Sequence, residues 1–165
     1  MTGLLVSNTG PIIALALIDR LDILQALFRQ VVVPEAVHKE LLYGGSSGND
    51  LITYQKASWI QVQSLSTPMG PLLKTVLDIG EASVIQLASE IKADYVLIDE
   101  RKARKIARNI FGLQIIGTAR ILVEAKKKRV LDNVGDTLRR MRDSGYWIHD
   151  DIVHKILKES KEESE

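Results

Sequence analysis

Short apolar runs alternate with helix-like segments along most of the chain, and this alternation is the strongest constraint on the fold. The runs cover residues 4–6, 31–33, 59–62, 95–98 and 114–116. Strands separated by helices favour a parallel sheet that is covered by helices on both faces. We therefore predict an α/β protein, specifically a three-layer α/β/α domain around a central, mostly parallel sheet of four or five strands.

The segments between these runs show helical spacing and recognisable helix ends. They predict helices over residues 11–18, 21–28, 34–42, 50–57, 72–77, 80–92, 101–111, 118–128, 132–143 and 150–159. Glycine, serine and proline mark residues 44–49 and 67–71 as loops. Because no repeat or linker interrupts the pattern, we expect one domain over residues 1–160 and a disordered tail at 161–165.

Composition narrows the classes of protein that the chain can belong to. Its 165 residues are 45% hydrophobic and carry a net charge of +1, so nucleic-acid affinity must come from local patches. The absence of cysteine excludes a disulfide scaffold, a thiolate metal site and a cysteine nucleophile, and suits a reducing cytosol. No apolar stretch approaches 18 residues, so we expect a cytoplasmic protein without a membrane partner.

Polar side chains occupy positions where an α/β sheet binds its ligands. Asn8 follows the first apolar run closely, and Asp99 follows the fourth directly. Glu40 and Glu81 lie beside the apolar stripes of two predicted helices. Because the carboxyl ends of parallel strands form one edge, we expect the four side chains to converge in one cleft there. Oxygen ligands of this kind suit a hard cation such as Mg²⁺.

Each of these residues also has an ordinary structural interpretation. Glu40 fits a solvated helix acid, and Glu81 fits a first-turn acid that interacts with the helix dipole. Glu100 fits a first-turn acid of the helix that follows it. Asn8, followed by Thr9, fits a simple helix cap.

Four motifs in order give the chain a specific resemblance. Residues 7–12 (SNTGPI) match a Ser-Asp-Thr-x-Pro-Ile turn, and residues 33–41 match a Val-Pro-Glu-Ala-Val…Glu-Leu helix. Residues 80–88 match a Gly-Glu-Ala…Leu-Ala helix, and residues 97–107 match a Leu-Ile-Asp-Glu-Arg-Lys segment. Together they resemble the PIN-domain family, metal-dependent nucleases that include the VapC-like toxins. The resemblance covers roughly residues 3–130, with the predicted helices of 132–159 following this core.

The resemblance implies a ribonuclease that uses Mg²⁺ or Mn²⁺ to activate water against RNA phosphodiesters. Its catalytic quartet falls on Asn8, Glu40, Glu81 and Asp99. Its metal ligands fall on Asn8, Glu81, Asp99 and Glu100. Thr9 corresponds to the hydroxyl residue that steadies the site and contacts RNA. The family also implies an antitoxin protein as a possible partner, and together with the apolar segments 11–28 and 72–77 it predicts a two-fold homodimer.

Asn8 departs from the family pattern, which has aspartate at this position. A neutral amide removes one unit charge, worth about 4 kcal/mol at 4 Å and an effective dielectric constant of about 20. We therefore expect weak Mg²⁺ binding and little or no cleavage. Asn8 is compatible with a natural loss of activity and with a substitution that silences a toxic nuclease.

One helix face is basic. Its residues, at i, i+3, i+4 and i+7, are Arg101, Arg104, Lys105 and Arg108. We predict that this face binds the RNA backbone, with a solvated helix face as the alternative. The opposite face is predicted to be buried and consists of Ala103, Ile106, Ala107 and Ile110. The three histidines are interpreted as surface residues, and Trp59 and Trp147 as packing residues.

Two rival functions remain open at this point. The first is a PIN-like module that holds RNA or a protein without cutting it, which Asn8 favours. The second is another α/β enzyme, such as a phosphatase or nucleotide-binding protein. It lacks a glycine-rich dinucleotide or Walker motif and an Asp-x-Asp after the first strand.

Overall fold

A parallel sheet of five strands forms the centre of the protein in the computed structural model, which describes residues 1–43 and 48–162. Its strands are β1 (Leu4–Ser7), β2 (Gln30–Pro34), β3 (Ile60–Gln63), β4 (Tyr95–Leu97) and β5 (Ile115–Ile116). All four strand pairs are parallel. The predicted α/β fold, with a central, mostly parallel sheet of four or five strands, is therefore confirmed.

Ten helices surround this sheet in the described part of the chain. They are α1 (Thr9–Leu17), α2 (Asp22–Leu27), α3 (Glu35–Tyr43), α4 (Gly48–Lys56), α5 (Pro71–Val76), α6 (Ile79–Glu90), α7 (Arg101–Asn109), α8 (Thr118–Lys127), α9 (Val134–Asp143) and α10 (Asp150–Glu159). Helix α6 packs on β1, β2 and β4 and contacts α3, α5 and α7. Helix α8 joins a second group that contains α2, α9 and α10.

The central strands β1 and β2 have no solvated face because both sides of the sheet are covered there, whereas the edge strand β3 exposes Gln61 and Val62. Leu5, Val6 and Ser7 of β1 are fully buried, and Val31, Val32 and Val33 of β2 are buried beside them. Continuous apolar strands of this kind are typical of parallel sheets between helix layers. This explains why short runs without polar alternation were the correct strand signal.

The predicted bounds of one loop and of the C-terminal tail differ from the structure. The predicted loop 44–49 includes Gly48 and Asn49, which lie in α4, whereas residues 44–47 lie outside the described residues. The disordered tail does not begin at residue 161, because the Glu162 carboxylate accepts hydrogen bonds from the N–H groups of Val134 and Gly135, at 2.8 and 2.7 Å. It also pairs with Lys126. Residues 163–165 lie outside the described range.

The strand order β3-β2-β1-β4-β5 contains one reversal of direction. From β1 the chain builds outward to β2 and β3, then returns to add β4 and β5 on the other side. The reversal lies between β1 and β4, where Ser7 is in register with Leu97. In open α/β sheets, ligands bind at the carboxyl ends of the strands that flank such a point.

Candidate functional site

The ends of β1 and β4 bring Asn8 close to Asp99. The Asn8 N–H donates to the Leu97 carbonyl at 3.0 Å, which extends the β1–β4 ladder to the sheet edge. Asn8 has the backbone conformation of the α1 N-cap, but its side chain makes no cap hydrogen bond. The amide oxygen therefore remains available for a ligand, and the simple cap interpretation does not account for this side chain.

Glu40 reaches the same edge from α3. Thr9 donates its hydroxyl proton to Oε2 of Glu40, with 2.6 Å between the oxygens. The other oxygen, Oε1, lies against Gly80, where an added Cβ would come within 2.3 Å of it. Glycine at position 80 thus leaves space for a carboxylate that belongs to another helix. Glu40 is held between α1 and α6 and is not a freely solvated acid.

Glu81 follows Gly80 in the first turn of α6, where its N–H donates to the N-cap Asp78 at 2.8 Å. Burial raises the pKa of the Glu81 carboxyl, and the negative charge of Asp78 raises it further. The charges of Glu100 and Glu40 act in the same direction. Glu81 therefore lies in the first turn of α6, as its ordinary structural interpretation expects. It is also close enough to Glu40 and Glu100 for their charges to affect it.

Asp99 is held on both carboxylate oxygens. The Thr118 N–H donates to Oδ1 at 2.7 Å, and the Thr118 hydroxyl donates to Oδ2. The Tyr146 hydroxyl also donates to Oδ2. Burial and the Asp99 charge raise the pKa of Tyr146, so this phenol stays protonated as a donor. These contacts fix the direction of the Asp99 carboxylate.

Sequence reasoning missed Thr118 and Tyr146. Thr118 begins α8 directly after β5, and β5 neighbours β4, so its position at the end of a strand was a usable signal. Tyr146 lies between α9 and α10, 47 residues from Asp99, and no pattern in the chain pointed to it. A Cβ on Gly10 would lie 3.5 Å from the Tyr146 hydroxyl, so this oxygen also borders the start of α1.

Glu100 has a different role from the other acids. Its carboxylate caps α7 by accepting from the N–H groups of Lys102 and Ala103, at 3.0 and 2.7 Å. These contacts agree with the ordinary structural interpretation of Glu100 as an acid at the start of α7. Both oxygens are used by the cap, so Glu100 is less free than Asn8 to contact an ion.

The basic face of α7 is divided between solvent and protein. Arg101, Lys105 and Arg108 are exposed and form no ion pair within the described residues. Arg104 is half-buried and donates to the Ile98 carbonyl at 2.7 Å, so it is partly used within the protein. Burial lowers the pKa of its guanidinium, against the opposing effect of the Asp99 charge.

Three expectations about individual side chains are corrected by the structure. Ile110 was expected in the core but is 57% exposed, because α7 ends at Asn109 and no longer directs the side chain inward. His38 is not simply a surface residue, since its Nδ1 lies 2.7 Å from the Tyr54 hydroxyl. Trp147 is not a packing residue, because 74% of it is exposed.

The side-chain oxygens of Asn8, Glu40, Glu81 and Asp99 are the ligand type that a hard cation prefers, although the carboxylates are not gathered around one point. No group of three or more His, Asp or Glu residues in the described ranges is arranged to hold one ion. None of the acids at this edge forms an ion pair with a described side chain, although Glu40 and Glu100 are close enough to raise the pKa of Glu81. Mg²⁺ commonly keeps several waters and uses only one or two carboxylates.

Two grooves flank this edge of the sheet. One, of about 410 Å³, runs from Asp99 past Tyr146 to Trp147. The other, of about 690 Å³, is bordered by Glu40 and by the exposed side chains Tyr43 (82%) and Ile79 (70%). The acids therefore lie between two open surfaces.

In the described ranges, no helix has the length and apolar character needed to cross a bilayer.

Comparison with known proteins identifies a family. A family model described as DUF3368, a PIN domain, matches residues 4–162. No curated protein matches the sequence.

Proposed function

The chain belongs to the PIN-domain family, a family of nuclease-type domains, and we propose that it is a divalent-metal-dependent ribonuclease whose activity is impaired by Asn8. The observation that carries this proposal is the convergence at the β1–β4 switch point. Asn8 and Asp99 follow the two strands that flank it, and Thr9 binds Glu40 beside Gly80. A hydrolase of this family needs its oxygen ligands at this edge.

PIN domains generally use divalent metals, and the specific ion proposed here is Mg²⁺ or Mn²⁺. When bound, such an ion lowers the pKa of its water and neutralises charge on the phosphate. Asn8, Glu40, Glu81 and Asp99 are the residues that would hold it, with Glu100 as a further acid at the rim. Thr118 and Tyr146 orient Asp99, and Thr9 orients Glu40, so these two carboxylates are pre-positioned.

Asn8 weakens this site in a specific way. The quartet carries three negative charges, where an aspartate at position 8 would give four. The amide accepts only through its oxygen and must keep its NH₂ group away from the ion, which restricts its rotamers. The amide has no hydrogen bond to a described residue that would fix it in the correct orientation. Weak ion binding and slow cleavage follow.

RNA is the proposed substrate because the unpaired cations of α7 begin next to Asp99. Arg101, Lys105 and Arg108 extend along one exposed helix face, where they can contact successive phosphates. Backbone contacts of this kind give affinity without sequence selection.

We further propose that the protein is the toxin of a toxin–antitoxin pair that an antitoxin protein controls.

A second candidate is an RNA- or protein-binding module that does not cut. Asn8 favours it, because the basic face is intact while one charged ligand is missing. The Asn8→Asp variant separates the two functions.

The test is cleavage of single-stranded RNA by the protein and by Asn8→Asp across an Mn²⁺ titration. We expect Asn8→Asp to cut at least about ten-fold faster, because the added carboxylate positions the ion. Asn109→Asp adds the same charge at an exposed helix end and is the matched control. Cleavage by neither form, with RNA still bound, would favour the binding module; no cleavage and no binding would refute both.

A further inference from the structure

Trp147 presents an exposed aromatic ring in the groove that begins at Asp99. The side chain is 74% exposed and lines the groove of about 410 Å³ together with Asp99 and Tyr146. A large apolar ring left in water costs free energy. Its position next to the candidate site therefore points to a ligand that covers it.

The protein holds one side of the ring in place. The Arg142 guanidinium lies over it, with Cζ 5.4 Å from the ring centroid. Arg142 itself is fixed by hydrogen bonds to the Ile148 carbonyl and to Asp150, the latter at 2.7 Å. The preceding residue, Tyr146, is anchored to Asp99. Trp147 is thus positioned by its neighbours while 74% of it stays exposed, which leaves room for a ligand on the side opposite Arg142.

The rest of the groove has the mixed character that a nucleotide requires. The exposed Ile152 supplies apolar surface above the buried Ile148 and Ile156, while Lys155 and Arg104 supply positive charge. The volume lies within the range of small-molecule pockets, which suits one nucleotide. A base in a duplex cannot reach an aromatic ring in such a groove, whereas an unpaired base can stack on it.

We propose that this groove binds one unpaired base of a single-stranded RNA, stacked on the face of Trp147 opposite Arg142. The inference rests on the proposed function, because it places the base beside the carboxylate edge where the phosphodiester would be cut. In this proposal Trp147 binds the base, whereas the cations of α7 bind the phosphates. Single-stranded RNA is therefore preferred over duplex RNA.

Binding in metal-free buffer tests the inference without cleavage. The probes are a short oligoadenylate, its duplex with oligouridylate, and an abasic ribose-phosphate oligomer of equal length. The Trp59→Phe protein leaves Trp147 as the sole tryptophan, so its fluorescence reports on the groove, and the anisotropy of end-labelled probes gives the affinity of every variant. Trp147→Ala and Trp147→Phe are compared with Leu72→Ala, which removes an exposed apolar side chain outside the groove.

We expect oligoadenylate to quench Trp147 fluorescence, and Trp147→Ala to weaken its binding by about 5- to 100-fold. Trp147→Phe keeps most of the affinity, and binding of the abasic oligomer is unchanged by either variant. Equal affinity of Trp147→Ala and Leu72→Ala for oligoadenylate would overturn the inference while leaving the ribonuclease proposal intact. Tighter binding of the duplex than of oligoadenylate would also overturn it. If no form binds any of the probes, both proposals fail.

Discussion

Gly80 shows how one residue can determine the position of a carboxylate on another helix. Its missing side chain leaves the space that Oε1 of Glu40 occupies, while Thr9 holds Oε2. In the sequence, Gly80 is recognisable only as part of the Gly-Glu-Ala motif. Its spatial role depends on the α3–α6 packing, which no local pattern contains.

A Gly80→Ala substitution should lower the affinity for Mn²⁺ while leaving the stability of the fold nearly unchanged. The new methyl group would displace the flexible end of Glu40, while alanine favours a helix over glycine by about 1 kcal/mol. We expect the free energy of unfolding to change by less than about 1 kcal/mol. In the Asn8→Asp background, Mn²⁺ affinity should fall about ten-fold, since Glu40 loses its orientation.

Calorimetry and thermal unfolding measure the two effects. Gly10→Ala is the control, because its Cβ would make an ordinary 3.5 Å contact with Tyr146. Equal Mn²⁺ affinity in the two alanine variants would contradict the role given to Gly80.

The candidate site residues taken from the sequence are those that follow strands or belong to motifs. The position of Asn8 and Asp99 at the ends of β1 and β4 was predictable, because both strands are strongly apolar runs with polar residues beyond them, and their role as metal ligands stays a prediction. Tyr146 was not predictable, because a loop between two helices carries no periodicity that links it to Asp99. Trp147 was misinterpreted because tryptophan is usually well buried.

At the scale of elements, helix ends explain most boundary differences. Helices α6 and α8 end two and one residues earlier than predicted. The residues that follow them, Lys92 and Arg129, adopt positive φ values of 52° and 59°. Glycine normally marks such left-handed ends, and its absence here removed the stop signal from the sequence.

The end of α6 also contains a pH-dependent contact. Glu90 accepts hydrogen bonds from the Ser66 and Thr67 N–H groups, at 2.8 and 3.2 Å, and so fixes the loop before α5. Burial opposes ionisation of this carboxyl, but hydrogen bonds from Ser66, Thr67 and Gln86 outweigh it and lower the pKa to about 2. The ionised form is therefore stabilised by folding.

Glu90 should contribute to acid sensitivity. Because its folded pKa lies below the ordinary value of 4.5, its contribution is complete above pH 4.5 and is lost as the pH falls toward 2. We expect Glu90→Gln to lower Tm by a few degrees at pH 7 and to flatten the decline of Tm between pH 4.5 and 2. Parallel Tm curves for the two proteins would contradict this account.

At the scale of the whole molecule, the pattern of elements was predictable but the order of the strands was not. Periodicity identified five strands and ten helices, yet it contains no information about which strands are neighbours. The β1–β4 pairing joins residues about 90 positions apart and creates the switch point. The assembled site therefore depends on long-range pairing that the motifs only imply.

The apolar segment 11–28 does not supply the surface for self-association. Segment 11–28 is apolar because most of it is buried in the protein's own core, including Ile12, Leu15 and Leu24. Exposed apolar side chains lie elsewhere, and two of them, Tyr43 and Ile79, border the Glu40 groove. We propose that a two-fold dimer forms through this surface near the Glu40 groove.

The Ile79→Asp variant tests this dimer. Because Ile79 is 70% exposed, the change should leave the fold intact while placing a charge in the contact. Light scattering at micromolar concentration should give twice 18.4 kDa for the protein and 18.4 kDa for Ile79→Asp. Ile110→Asp, at an exposed site outside this surface, should remain dimeric. A monomeric mass for the unsubstituted protein would refute the dimer.

The central claim is that the ends of β1 and β4 contribute to one metal site in which Asn8 occupies a ligand position. Calorimetric titration with Mn²⁺ tests it independently of activity, using the protein, Asn8→Asp and the control Asn109→Asp. We expect one ion per chain, with affinity raised roughly ten-fold to a thousand-fold in Asn8→Asp and unchanged in Asn109→Asp. Equal Mn²⁺ affinity in all three proteins would contradict the claim, because position 8 would then not contact the ion.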